Sequence, residues 1–227
     1  MSKKKVKKQD EAIALDAQLT KSEAFIEKHF KKILIVLAVI CAAVIAYFIW
    51  KNHKANVQAE AMEAVYTSQN YFAQGEFEKA LKGDNTPACK GFLKAIDEYS
   101  GSKTANISKL YSGICYANLE DYDNAIKMLE SYDSEDDMMI SSAALGTLGN
   151  CYLHKGQDDK GAETLVKAAK EANNFSTSPI FLLQAGQVYE KLNKQDKALE
   201  LYQQIKKDYP QSPINNEIDK YIERASK

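Results

Sequence analysis

The sequence predicts an all-α protein: one apolar membrane helix near the N-terminus, then a solenoid of about four stacked helix hairpins closed by a capping helix. Three observations carry this. The run "ILIVLAVICAAVIAYFIW", Ile33–Trp50, holds no charge, glycine or proline. The first glycine of the chain is Gly75 and the first proline Pro87, so a long stretch lacks helix breakers. The frames "YFAQGEFEKAL", "YANLEDYDNAI", "YLHKGQDDKGA" and "YEKLNKQDKAL" recur from Tyr71, Tyr116, Tyr152 and Tyr189, each tyrosine followed nine residues on by a small residue: Ala80, Ala125, Gly161 or Ala198.

Along the chain, residues 1–32 come first. They carry nine lysines against five acids, a net of +4 within a chain of net charge -1. "TKSE", Thr20–Glu23, reads as a capping box opening a helix. Residues 33–50 follow. At about 1.5 Å per residue they span roughly 27 Å, the thickness of a bilayer's hydrocarbon core. Phe30, Tyr47, Phe48 and Trp50 stand near the ends, where amphipathic rings favour the headgroup region. Bulky Phe48, Ile49 and Trp50 leave no cleavage site, and Ile40 before Cys41 does not fit a lipoprotein site, so the segment is read as a retained anchor. Lysines crowd the N-terminal side, which places that side in the cytoplasm and residues from about 51 across the membrane. In a bacterial host this is a single-pass inner-membrane protein with a periplasmic domain. A helix unbroken from Thr20 to Gln74 is permitted; a bend near Asn52 and His53 is the alternative.

Residues 51–227 are read as the repeat domain, with hairpins at about 61–105, 106–141, 142–178 and 179–212. The tyrosines are spaced by 45, 36 and 37 residues. Periods near 34 mark tetratricopeptide helix hairpins. "FLLQAGQVYEKLNKQDKALELYQQIKKDYP", Phe181–Pro210, resembles the tetratricopeptide repeat (TPR) consensus, with Gly186, Tyr189, Ala198, Tyr202 and Pro210 in matching places. Gly149, Tyr152 and Gly161 match in the third copy and Gly113, Tyr116 and Ala125 in the second; in the first, Tyr71 and Ala80 match before "KGDNTPACKG" interrupts the second helix.

A hairpin cannot bury its apolar face alone, so neighbours stack into a continuous core. The small residues are expected where two helices cross closely, the tyrosines between the two helices of each hairpin, and the turns at Gly75, near Glu120, at Gly156 and near Asn193. Thr86-Pro87, Ser178-Pro179 and Ser212-Pro213 each read as a capping hydroxyl before a helix-opening proline. The last opens the capping helix, 213–225, whose Ile214, Ile218, Tyr221 and Ile222 form one stripe.

Nothing in the sequence supports catalysis. No nucleotide loop, serine elbow or pair of catalytic acids appears. Arg224 is the only arginine, which disfavours nucleic acid. His154 reads as a solvated turn residue. The acids Glu130, Asp133 and Glu135–Asp137 lack the glycine and spacing of a calcium loop. No cofactor, metal or small-molecule substrate is expected. Cys115 and Cys151 read as small buried residues, too far apart for a disulfide; Cys89 is an odd third cysteine, which leaves room for a reactive or intermolecular thiol.

Function is therefore sought in binding. Repeat arrays present a surface built mainly by each hairpin's first helix. The positions expected to line it include Val65, Gln69, Ile107, Leu110, Ile114, Asn118, Asn150, Leu183 and Gln187. Gly146 is expected there too. Such a face, apolar with single amides, suits extended polypeptide or another helix. The layout, with "KSEAFIEKHFKK" leading into the anchor and "GDNTPACKGFLKAIDEYSGSKTANISKLYSGICY" after it, resembles the ancillary subunit of the bacterial Sec translocon (YfgM-like). That resemblance implies association with the translocon and transfer of emerging proteins to periplasmic chaperones. A scaffold in another envelope complex and a regulatory anchor acting through residues 1–32 stand as alternatives.

Overall fold

The computed structural model describes residues 3–134 and 137–227. Helices account for every regular element among them. The chain divides into two compact units, residues 1–55 and 56–227.

The first unit is helical throughout its described length and belongs to α1, Lys3–Ala73. Thr20 therefore opens no helix, contrary to the capping-box reading: the residues before it are good helix formers, and no breaker stops the helix there. Asn52 and His53 are helical, with no break. The side chains of Ile33–Trp50 are exposed, Ile49 to 65 %. Among the described residues this is the one helix long and apolar enough to cross a membrane. At its end Tyr47 lies 5.9 Å from Phe48 and 6.3 Å from Trp50, and the Lys54 ammonium sits 5.3 Å over the Trp50 ring.

The second unit is a series of helix hairpins. α1 from residue 56 pairs with two short helices, α2 (Phe77–Lys82) and α3 (Phe92–Glu98). Then come α4 (Lys103–Asn118) with α5 (Tyr122–Glu130), α6 (Met138–His154) with α7 (Asp158–Ala172), and α8 (Ser178–Lys191) with α9 (Gln195–Asp208). A 3-10 turn, Pro213–Asn216, and α10 (Ile218–Ala225) close the series against α9, with Ile218 fully buried.

One device makes all four hairpin turns. The carbonyls of Tyr71, Tyr116, Tyr152 and Tyr189 accept from the backbone N–H five residues on, at 2.9, 2.9, 2.9 and 2.8 Å. The residue between, four after each tyrosine, has positive φ: Gly75 (78°), Glu120 (62°), Gly156 (70°) and Asn193 (58°). Its own N–H bonds three residues back. This is the Schellman arrangement, which satisfies the last carbonyls of a helix while reversing the chain.

The insertion in the first hairpin is a pinched loop. Gly83 and Gly91 meet at its neck, both at positive φ. Asp84 accepts from the backbone N–H and the hydroxyl of Thr86 and from the Tyr71 hydroxyl, the last at 2.8 Å. Thr86–Pro87 thus opens no helix: the Asp84 carboxylate holds Thr86 in a turn. Ser178 also departs from its expected capping role. It is the first residue of α8, fully buried; its hydroxyl donates to the Ala169 carbonyl at 2.8 Å and accepts from the Asn174 N–H at 3.0 Å. Ser212 does cap, accepting from the Ile214 N–H.

Candidate protein-binding surface

The tyrosines hold the interiors of the hairpins. Tyr152 and Tyr189 are buried; Tyr71 and Tyr116 are half-buried. In three of the hairpins a lysine just before the small residue lies over the tyrosine ring: Lys79 over Tyr71 at 5.2 Å, Lys160 over Tyr152 at 4.0 Å and Lys197 over Tyr189 at 5.0 Å. A cation over a ring face is attracted by its quadrupole. The Tyr152 hydroxyl donates to Glu130, which also pairs with Lys160. The tyrosine's hydrogen bond and the lysine hold the Glu130 carboxyl below its usual pKa, and burial, then Glu130, push the Tyr152 phenol up. Exposed ion pairs join successive hairpins at the turn edge: Lys155 to Asp123 at 3.0 Å and Lys191 to Asp158 at 3.1 Å.

The small residues sit at crossings. A Cβ on Gly113 would meet Leu129 at 2.5 Å, on Gly149 Leu165 at 3.0 Å, on Gly161 Leu153 at 2.3 Å and on Gly186 Tyr202 at 2.4 Å. Ala80, Ala125 and Ala198 are fully buried, as is Tyr202.

The expected surface residues divide. Gln69, Asn118, Asn150 and Gln187 are exposed. Ile107, Ile114 and Leu183 are half-buried, Leu183 against the core around α8 and α9. Val65, Gln69 and Ile107 come together, with Met62 and Tyr66, around a cleft of about 260 Å³. The Asn118 amide donates back to the Ile114 carbonyl at 2.9 Å.

Val65 and Leu110 do not fit the expectation of open side chains. They are 2 % and 5 % exposed, Val65 packed with Ala80, Leu81 and Phe92, Leu110 with Ala125, Leu129 and Ala144. Gly146, one repeat further at the same frame position as Leu110, lies under the Phe181 ring of the next hairpin. In the first three hairpins this row faces neighbouring helices, while Leu183 at the same position of the fourth is half-buried; open surface begins about one helical step away. Leu110→Ser is accordingly expected to destabilise the domain by about 3 kcal/mol, since it removes buried methyl groups and inserts a hydroxyl. Urea titration of the full-length chain in detergent checks this; an unchanged midpoint would place Leu110 outside the core.

Other candidate groups resolve into packing. The His154 ring stacks on Tyr122 at 4.5 Å, so it is not simply solvated. Asp137 caps α6 by accepting from the Met139 and Ile140 N–H groups, while Glu135 and Asp136 lie outside the described residues. Among the described residues no cluster of histidine, cysteine and carboxylate side chains suits a metal. Cys89 is buried, its sulfur 3.5 Å from the Ser68 hydroxyl, which does not fit a reactive thiol. Cys115 and Cys151 are free and buried, and burial pushes their thiols up to about 12 and about 11.

Two outcomes follow for the thiols. With Cys41 replaced by serine, maleimide should label the native chain slowly and three cysteines rapidly after unfolding; fast native labelling of Cys89 would contradict its burial. The second outcome concerns pH. The unfolded thiols ionise near 9.0 and the folded ones higher, so between these values the unfolded state binds fewer protons. Stability should therefore fall as pH rises above about 9, more steeply than in a Cys115→Ala, Cys151→Ala variant.

A second frame recurs where one hairpin joins the next. Tyr99, Tyr132, Phe175 and Tyr209 each follow the end of a hairpin's second helix, and after three of them a serine stands three residues on: Ser102, Ser178 and Ser212. Ser102 caps α4 by accepting from the Ala105 N–H at 3.0 Å. This second frame marks the joints between hairpins as the first marks the turns.

Left-handed turns at a fixed register, small residues at the crossings and a closing helix define an α-solenoid of helix hairpins, the class of fold that serves as a protein–protein interaction module. The chain belongs to the tetratricopeptide repeat-like domain family, whose model matches residues 23–220. A search of curated proteins finds no match.

Proposed function

We propose that this protein is a membrane-anchored adaptor that binds other polypeptides through the first helices of its hairpins. The observation that carries the reading is a recurring exposed amide. Gln69, Asn150 and Gln187 hold one frame position in hairpins one, three and four, and all three are exposed. Amide side chains both donate and accept, so a row of them suits the main chain of an extended segment, with Ile107, Ile114 and Leu183 as apolar neighbours.

The apolar run 33–50 is the anchor, with residues 1–32 cytoplasmic and the repeat domain periplasmic in a bacterial inner membrane. This orientation rests on the lysine asymmetry. The resemblance to the YfgM-like subunit favours work beside the Sec translocon, receiving emerging proteins or passing them to periplasmic chaperones.

Photo-crosslinking residues placed at Asn150 and Gln187 of the full chain test this in intact membranes. Adducts with translocon subunits, chaperones or exported precursors are expected. Adducts confined to division or outer-membrane assembly proteins would replace this reading with the envelope scaffold, and loss of partners on removing residues 1–32 would favour the regulatory anchor. A reporter active only in the cytoplasm, fused after Lys227, should be silent; activity would reverse the topology.

A further inference from the structure

Every hairpin after the first receives the second helix of the hairpin before it: α3 packs on α4, α5 on α6 and α7 on α8. The residues on that receiving face fall at fixed distances from the frame tyrosines. Eleven residues before them stand Glu60, Ala105, Ser141 and Ser178; eight before stand Glu63, Ser108, Ala144 and Phe181. In the later hairpins these positions are uncharged, all buried except the half-buried Phe181. Ala144 packs in one cluster with Leu129 of α5, and the Ser178 hydroxyl bonds the Ala169 carbonyl of α7.

The first hairpin has no such predecessor, and there the same two positions carry exposed carboxylates. Glu60 and Glu63, with Ala64 and Thr67, form one wall of a cleft of about 750 Å³ whose other wall is the pinched loop at Pro87 and Ala88. Met62 and Tyr66 edge it, 60 % and 65 % exposed. Lys90 across the cleft is held by Glu98 at 2.7 Å, so it leaves the two carboxylates unneutralised.

We propose that this cleft seats a basic amphipathic helix of a protein partner, in the place that a preceding hairpin's second helix would take. The receiving face calls for a helix, because its counterparts all bury one. The carboxylates call for lysine or arginine on that helix opposite Glu60 and Glu63, since burying them unpaired is costly. Charge also argues against a second copy of the chain, whose own carboxylates would meet these across a two-fold axis. A merely solvated end of the array would not need a large thioether and a tyrosine standing together in the open.

The test uses the full chain in lipid nanodiscs and two stapled helical peptides. One carries leucine at i, i+3, i+4 and i+7 with flanking lysines; its twin has glutamate at each lysine. Fluorescence anisotropy should show the lysine peptide binding at least roughly tenfold more tightly than its twin, and weakening as salt rises. Glu60→Lys with Glu63→Lys should reverse the preference, and Tyr66→Ala should weaken the lysine peptide about tenfold while leaving the thermal midpoint unchanged, because the side chain is exposed. Equal binding of the two peptides, no binding of either, or no effect of the charge reversal would overturn the proposal. Self-association of the chain that Tyr66→Ala abolishes would overturn it in favour of a second copy. None of these outcomes bears on crosslinks at Asn150 and Gln187.

Discussion

Gly91→Ala is expected to cost the repeat domain about 3–5 kcal/mol. Two causes add. At φ 81° and ψ 154° Gly91 occupies a region that L side chains avoid, at about 1–3 kcal/mol. Its Cβ would then lie 2.4 Å from the Leu81 carbonyl oxygen and 2.5 Å from the Gly83 nitrogen. Both neighbours are backbone, so no side chain can swing aside, and the neck of the loop must open. Opening it would lift Cys89 off Ser68 and uncover Phe92. Gly101→Ala is the control, because Gly101 also has φ 81° but a Cβ there meets nothing within 4 Å. It should cost only the left-handed backbone, about 1–2 kcal/mol. Thermal unfolding followed by circular dichroism compares the two. Equal shifts would mean that the neck yields freely.

Gly186→Leu is expected to destabilise by about 3 kcal/mol or more, as overpacking of a closed core does. The Cβ alone would sit 2.4 Å from Tyr202 Cε1. Tyr202 is fully buried and lies 5.4 Å from the Tyr221 ring of the closing helix, so its ring has nowhere to go. α8 and α9 must separate, and α10 must follow. Gly186→Ala poses the same overlap with less bulk, partly offset by about 1 kcal/mol of helix propensity. Pairing Gly186→Ala with Tyr202→Leu should recover part of the loss, since one substitution makes the room that the other needs. Additive losses in that cycle would mean that the two side chains do not share the space.

Much of the fold was legible because helix hairpins repeat local chemistry. A tyrosine, a residue able to adopt left-handed backbone four positions on, and a small residue nine positions on suffice to mark a turn between two helices. Glycine holds the left-handed site at Gly75 and Gly156, asparagine at Asn193, and only Glu120 departs from the residues that favour it. The apolar run needed nothing beyond its length and absence of charge. The local signals that misled were those a tertiary contact can override. Thr86-Pro87 looks like a helix start, but the Asp84 carboxylate claims Thr86, and Thr20 looks like a cap although the helix around it never stops.

By itself, then, the sequence determined what depends on neighbours along the chain: helical content, the long apolar run, the period of the hairpins and the places where they turn. Tertiary structure alone decided which side of each first helix is open. Val65 and Gln69 differ by one turn, and so do Leu110 and Ile114, yet the first of each pair is buried and the second reaches the surface or its edge. The physical reason is that an α-helix offers only about 100° per residue, while a solenoid covers its helices from several directions at once. A small rotation of one hairpin on the next moves a leucine from groove to core, and no local pattern encodes that rotation. It is settled by contacts across hairpins, such as Phe181 over Gly146, between residues that share no turn of helix.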